Sequence, residues 1–320
     1  MPNRTLSLAP MMDYTDRHDR FLVRLICKNI WLFTEMVTTN TLLHTAPDRF
    51  LAHHDSEHPV AIQLGGSNPQ DLARCASISE QAGFDEVNLN VGCPSDRVKA
   101  GRFGAALMAT PNLVADCVKT MQRDISIPVT VKCRIGIDDH DDYAHLELFI
   151  QQVSDVGCSI FYIHARKAWL EGLSPKENRN VPPLVYDSVY RIKQQFPQLT
   201  IVVNGGIKTL ADVTQHLTSV DGCMIGRECY DNPYFLADAD KLLFQSVQPA
   251  PSRLDVLSQY IDYVDNEMRL GTKFTLMSRH ILGLFQGVPG AKAWRRYISE
   301  NAHKSGANSE VLIQAAKYIP

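Results

Sequence analysis

VAIQLGGSNPQDLARCASISEQAGFDEVNLNVGCP, residues 60–94, holds two short apolar, β-branched runs (60–64 and 86–91) on either side of a stretch, 69–81, whose apolar residues recur at helical spacing. The segment reads as strand, helix, strand. Working outward, six more runs of the same kind stand at 6–12, 32–37, 129–134, 160–165, 200–204 and 222–225, with another amphipathic stretch at 111–123. Eight β-then-α units in about 245 residues match the length and count of an α/β (β/α)8 TIM barrel. A doubly wound sheet is the rival, and it usually needs fewer strands.

The chain has 320 residues, 45% of them hydrophobic and 21% charged, enough for one core of about 250 residues and a smaller appendage. The expected division is a catalytic barrel over 1–245, a linker at 246–253 (SVQPAPSR, with two prolines), and a helical domain over 254–320. Ser252 is a candidate cap for a helix with Leu254, Leu257, Ile261, Val264 and Met268 on one side, which Gly271 would stop. Further helices are expected at 275–286, 289–304 and 308–319, completing a small all-helical bundle.

No window approaches the roughly 20 apolar residues that span a bilayer, and the opening MPNRTLSLAP has no apolar run of signal-peptide length. A cytoplasmic protein that does not engage membranes is expected, acting as a monomer. Eight cysteines without a CxxC pair argue against a zinc site or a secreted disulfide framework, and no metal is expected. The acidic stretch IDDHDDY (137–143) reads as a solvated loop, because adjacent carboxylates lack ligand spacing. Net charge is −3, yet residues 252–320 carry 9 Lys/Arg against 6 Asp/Glu, and within 268–304 the count is seven to one. Such a face fits a polyanionic partner or a solvated helix surface.

In a parallel barrel the chemistry gathers where strands end. Gln63, Asn88, Asn90, Lys132, Arg134, His164 and Asn204 fall at those ends, and Arg227 follows the last. A core that merely tolerated so many polar groups would need a buried partner for each. NGGI (204–207) and IGR (225–227) follow the seventh and eighth strands, where barrels often hold phosphate against backbone N–H groups. The bland alternative is glycines required only for tight turns. No GxGxxG opens a helix, so a mononucleotide fits better than a resident dinucleotide. Flavin mononucleotide (FMN) would place its phosphate on these glycine loops, with Lys132 opposing the charge of the reduced ring and Gln63 bonding its pyrimidine edge.

LAPMMDYTD (8–16), NLNVGCPSDRVKAGRFGAALM (88–108), VKCRIGID (131–138), HARKAWLEGLSPKENR (164–179), GRECYDNP (226–233) and LGLFQGVPGAKAWRRYISENAHKSG (282–306) resemble the tRNA-dihydrouridine synthase family, closest to its bacterial A-type members, over nearly the whole chain. The resemblance implies an FMN barrel with a C-terminal helical domain, reducing uridine at positions 20 and 20a of the tRNA D-loop with NADPH. It places FMN on Pro10, Met11, Met12, Gln63, Lys132, His164, Asn204, Gly205, Gly206, Gly226 and Arg227. It places tRNA on Asn90, Lys176, Arg179, Arg295 and Arg296, with Asn90 addressing the extruded uridine.

Cys93, between Gly92 and Pro94, follows the fourth strand. Reducing a uracil C5=C6 bond takes a hydride at C6 and a proton at C5. A thiol of ordinary pKa, about 8.5, is mostly protonated near pH 7 and suits a general acid. A nucleophilic cysteine would want an adjacent His, and the neighbours Asn90, Ser95 and Asp96 offer none. A packed core cysteine and, more remotely, a metal ligand are the other readings. Two other functions compete with tRNA reduction: a flavin barrel acting on a free pyrimidine or small enoyl compound, and a non-catalytic RNA-binding protein. The basic helical domain counts against the first, and the ring of strand-end polar groups against the second. Trp294, at helical spacing with Ile298, is expected in the core.

Overall fold

The computed structural model describes residues 3–45, 47–95, 101 and 103–320. Eight strands, β1 (Leu6–Leu8), β2 (Leu32–Thr38), β3 (Val60–Gly65), β4 (Glu86–Val91), β5 (Val129–Arg134), β6 (Ile160–His164), β7 (Thr200–Asn204) and β8 (Gly222–Ile225), form one sheet in which every pairing is parallel. The order runs β1-β8-β7-β6-β5-β4-β3-β2. Its two ends meet at Trp31, whose N–H donates to Leu6 O (2.9 Å) and whose carbonyl accepts from Leu8 N (2.8 Å). The sheet therefore closes into a (β/α)8 barrel, and the doubly wound alternative, which leaves open edges, falls away.

Strand limits follow local chemistry. The expected run 6–12 ends as a strand at Leu8. Ala9 N still bonds Ile225 O (2.7 Å), but Pro10 has no N–H to extend the ladder. Between Phe33 and Met36 the register of β2 against β3 shifts, and the Thr34 hydroxyl takes Gln63 N–H (3.0 Å) there. At the start of β8, Gly222 admits the Arg4 carbonyl into the space that a Cβ would fill. The helix Pro69–Gln81 begins with Pro at its first turn under an Asn68 cap that accepts from Gln70 N and Asp71 N.

Because side chains alternate along a strand, one set lines the barrel interior and the other faces the helices. In β4, Val87, Leu89 and Val91 alternate with Glu86, Asn88 and Asn90, all buried. A cluster of Ala9, Trp31, Phe33, Ala61, Ile160, Tyr162, Val202 and Met224 makes the apolar part of the core that lies in phase with that polar set.

By contacts the chain divides into two units, residues 1–12 with 31–225, and residues 13–30 with 226–320. This differs from a cut at 246–253, since the helix Arg17–Ile26 and the segment after β8 group with the later helices. The cause is specific. Arg17 pairs with Glu267, Phe21 stacks on Tyr263 (3.9 Å between centroids), and Asp16 takes Arg279 (2.6 Å) and His280.

Within this second unit, Ser252 caps the helix Arg253–Arg269 by accepting Asp255 N–H (3.1 Å), and Gly271 follows at φ +93°. The buried stripe is Val256, Leu257, Tyr260, Tyr263, Val264 and Glu267, whereas Leu254 is 59% exposed. The tyrosines rotate the buried face away from the aliphatic stripe expected from sequence. The expected helix 275–286 is broken into Phe274–Ser278 and a 3-10 turn, Ile281–Gly283. Side chains of the long helix take its carbonyls, with Tyr260 Oη donating to Met277 O (3.0 Å) and Arg253 Nε to Leu284 O (2.9 Å). Ala291–Asn301 and Glu310–Ala316 complete the set, shorter than the expected 289–304 and 308–319, and Trp294 is fully buried.

Candidate active site

Five adjacent strands, β3 to β7, deliver the central residues. In register, Gln63 sits beside Asn88, Asn90 beside Lys132, Arg134 beside His164, and His164 beside Asn204. Interior position is costly for such groups unless each is bonded, and they are. Lys132 Nζ donates to Asn204 Oδ1 (3.2 Å), and Asn204 Nδ2 donates to Met224 O (2.7 Å). Asn90 Nδ2 donates to Gln63 Oε1 (2.7 Å), and Gln63 Nε2 to Asn88 Oδ1 (2.8 Å).

Burial, reinforced by the Arg134 charge, pulls the Lys132 ammonium down to about 8. The sign for stability follows. Between about pH 8 and 10.5 the unfolded chain holds a proton that the folded chain has lost, so stability from this residue rises with pH across that window. In the apoprotein, the stability of wild type relative to Lys132→Met is expected to improve by up to about 3 kcal/mol between those limits and to stay level below pH 8. Urea unfolding at a series of pH values checks it, and a flat difference would remove the assignment.

Cys93 is held by its backbone. Asn90 Oδ1 accepts from Gly92 N (3.1 Å) and Cys93 N (2.9 Å), Cys93 O accepts from Ala105 N (2.9 Å), and Gly92 O accepts from Arg134 Nε (2.8 Å). Among the described residues its thiol bonds Ser95 Oγ, at 3.5 Å. The other seven cysteines are buried, whereas Cys93 is part-exposed. Burial pushes the thiols of Cys75, Cys117, Cys133, Cys158 and Cys223 up to about 12. A thiolate at Cys93 would lie within electrostatic reach of Lys132 and Arg134. Asp96 lies outside the described residues.

Arg134, the last residue of β5, does more than its place among the strand-end polar groups suggests. It is 3% exposed, and besides Gly92 O its Nη1 donates to Lys167 O (3.0 Å) and Asn178 O (3.1 Å). One guanidinium thus ties the Cys93 turn to the loop after β6. That loop is also braced by the acidic stretch, which proves more than a solvated surface. Lys167 Nζ pairs with Asp141 (2.6 Å), Asp138 Oδ1 accepts from Leu170 N (2.8 Å), and Asp142 caps the helix Tyr143–Asp155. Lys176 and Arg179 are exposed.

After β7, Gly205 and Gly206 adopt φ +114° and +74°. A Cβ on Gly205 would lie 2.7 Å from the His164 ring, and one on Gly206 2.8 Å from Tyr186 Oη, which itself donates to Gly205 O (2.6 Å). Only glycine fits this turn. Pro10 and Met11 are part-buried where the chain leaves β1, and Met12 is 48% exposed. In the other unit, Gly226 precedes the helix Arg227–Asp231, whose first residue is exposed. Arg295 Nη1 donates to Gln286 (2.5 Å), and Arg296 is exposed. The structure thus brings Gln63, Asn90, Cys93, Lys132, His164, Asn204 and Gly205 onto neighbouring strand ends.

Sequence reading overlooked Glu86 and Thr130, which bond one another (2.6 Å) beneath Asn88. The available signal was period two, since both stand in phase with Asn88 and Lys132. Among the described residues no group of three or more His, Cys, Asp or Glu is placed to hold a metal, and no helix is long and apolar enough to cross a membrane.

A closed parallel barrel whose polar and basic side chains converge at the carboxyl ends of its strands is the architecture of a (β/α)8 enzyme. The family model for dihydrouridine synthase (Dus) matches residues 7–319, and the chain belongs to that family, an oxidoreductase by class. Curated relatives carry the name tRNA-dihydrouridine(20/20a) synthase. The Vibrio cholerae protein is 56% identical over 98% of this chain and 96% of its own length. The Shewanella oneidensis protein is 55% identical over 97% and 92%, and the Escherichia coli protein 54% over 99% and 96%.

Proposed function

We propose that this protein reduces the C5=C6 bond of uridine to 5,6-dihydrouridine at positions 20 and 20a of the tRNA D-loop, with FMN as resident cofactor and NADPH as reductant. The observation that carries the reading is Cys93, the part-exposed thiol among eight cysteines, held at a strand end by four bonds to its turn and within reach of two cations. The names of relatives more than half identical over almost their full length support the substrate.

The residues present suit a flavin. Gln63 retains an amide hydrogen and a lone pair for a pyrimidine edge, the Lys132 cation suits a reduced ring, and the Gly205–Gly206 turn offers backbone without side chains. Pro10, Met11, Met12, His164, Asn204, Gly226 and Arg227 complete the proposed set. When bound and reduced, FMN supplies the hydride that adds to C6. Cys93 then gives its Sγ proton to C5, and the thiolate left behind regains a proton from water. Asn90 has one amide hydrogen left after bonding Gln63, and donates it to the extruded base. Lys176, Arg179, Arg295 and Arg296 take tRNA phosphates, which give affinity and register without reading sequence.

The test is direct. Purified protein, FMN, NADPH and an unmodified tRNA transcript should give dihydrouridine that maps to positions 20 and 20a. Reduction of free uridine at a comparable kcat/KM, or no dihydrouridine in the transcript, would overturn the reading.

A further inference from the structure

A line of direct hydrogen bonds runs inside the barrel from Glu86, fully buried on β4, to the Cys93 turn. Thr130 Oγ1 donates to Glu86 Oε1 (2.6 Å), Asn88 Nδ2 to Thr130 Oγ1 (2.8 Å), Gln63 Nε2 to Asn88 Oδ1 (2.8 Å), and Asn90 Nδ2 to Gln63 Oε1 (2.7 Å). Asn90 Oδ1 then accepts from the N–H groups of Gly92 and Cys93. Every link points the same way.

The direction has a cause. An ionised carboxylate only accepts, and three donors converge on Glu86, namely Arg4 Nη2 (2.5 Å), Thr130 and Tyr162 Oη (3.4 Å). Burial pushes the Glu86 carboxyl upward, and the Arg4 guanidinium pulls it back toward the ionised form. Thr130 has a single hydrogen, spent on Glu86, so it must accept from Asn88. Each amide in turn has its orientation dictated by the one below, since a flip would set donor against donor or acceptor against acceptor. At the far end the backbone N–H groups demand the same orientation of Asn90.

We infer that Glu86 is a positioning residue that, through this one-directional chain, sets which edge Gln63 and Asn90 present to a ligand and holds the turn carrying Cys93. Its catalytic consequence rests on the function proposed above; its effect on the turn does not. Replacing Glu86 with Gln turns a pure acceptor into a group whose oxygen is drawn to Arg4 and whose NH2 then faces Thr130. That drives the chain backward until the Asn90 NH2 opposes the N–H groups of Gly92 and Cys93. Thr130→Val cuts the chain while leaving the pairing of Arg4 with Glu86 intact, and Thr130→Ser restores it.

Amide hydrogen exchange, read by mass spectrometry on peptides covering residues 88–95 of the full chain without added cofactor, tests the inference. Exchange of the Gly92 and Cys93 amides is expected to quicken by about 10-fold or more in Glu86→Gln and Thr130→Val and to stay at the wild-type rate in Thr130→Ser. With tRNA, FMN and NADPH, kcat for dihydrouridine formation should fall on the order of 10-fold in the first two, with KM for tRNA little changed and recovery in the serine variant. Unaltered exchange in Thr130→Val would overturn the inference, as would equal loss in the valine and serine variants. Should Glu86→Gln fail to fold, the threonine pair decides alone. Altered exchange in a protein whose wild type forms no dihydrouridine would sink the proposed function and leave the positioning role standing.

Discussion

Cys93→Ala is expected to lower dihydrouridine formation by about 10²–10⁴-fold while leaving FMN bound. The structure separates the two properties. Residues suited to the cofactor lie on β3, β5, β6 and β7 and in the turn after β7, whereas Cys93 contributes its backbone to its own turn and, among the described residues, its side chain to a long contact with Ser95. Removing Sγ therefore leaves the Asn90, Arg134 and Ala105 bonds to this turn in place. Binding survives and the proton donor is lost. Single-turnover reduction of tRNA uridine, with the flavin followed by its visible absorbance, measures both. Turnover within a few-fold of wild type would end the general-acid assignment, and loss of colour would show that the thiol supports the flavin instead. Brief iodoacetamide treatment should mimic the substitution, because the other seven thiols are buried.

Arg134→Met should cost on the order of 10²-fold in kcat together with several kcal/mol of stability. Its guanidinium satisfies three carbonyls, those of Gly92, Lys167 and Asn178, in two directions, and methionine satisfies none. Arg134→Lys should recover little, because an ammonium on a flexible stem cannot reproduce a planar fork across both loops. Two loops loosen at once, the turn that carries Cys93 and the loop that carries Lys176 and Arg179. A purely structural role would lower the unfolding midpoint without slowing chemistry in the folded fraction. Urea denaturation alongside single-turnover rates separates the cases, and full activity per folded molecule would remove Arg134 from the positioning machinery.

Much of this was legible along the chain. Alternation of β-branched runs with helical stretches is local, and a closed barrel is the one arrangement that gives eight such strands a partner on both sides. Limits of β4, β5, β7 and β8 coincide with the runs read from sequence. β1 came out shorter because Pro10 interrupts the ladder. Less legible was the helical region, where the long helix buries a tyrosine stripe and takes carbonyls from the segment 274–284, so packing overrode local helical pattern.

Of the candidate site, Cys93, Lys132, Gln63, Asn90 and Asn204 were visible because each stands at the end of an apolar run, where a polar residue needs a reason. Arg134 was visible on the same ground, though not its three carbonyl partners; Glu86 and Thr130 were not, since a charged or hydroxyl residue within a strand normally means a solvated face. Residue order along the strands was enough to establish the barrel and the rim to which its chemistry belongs, because period and punctuation are properties of neighbours in the chain. Which way each buried amide faces, and which three carbonyls Arg134 binds, depended on groups up to 82 residues apart being brought within about 3 Å. Hydrogen-bond direction is a property of the assembled network, in which one acceptor-only carboxylate orients every donor above it.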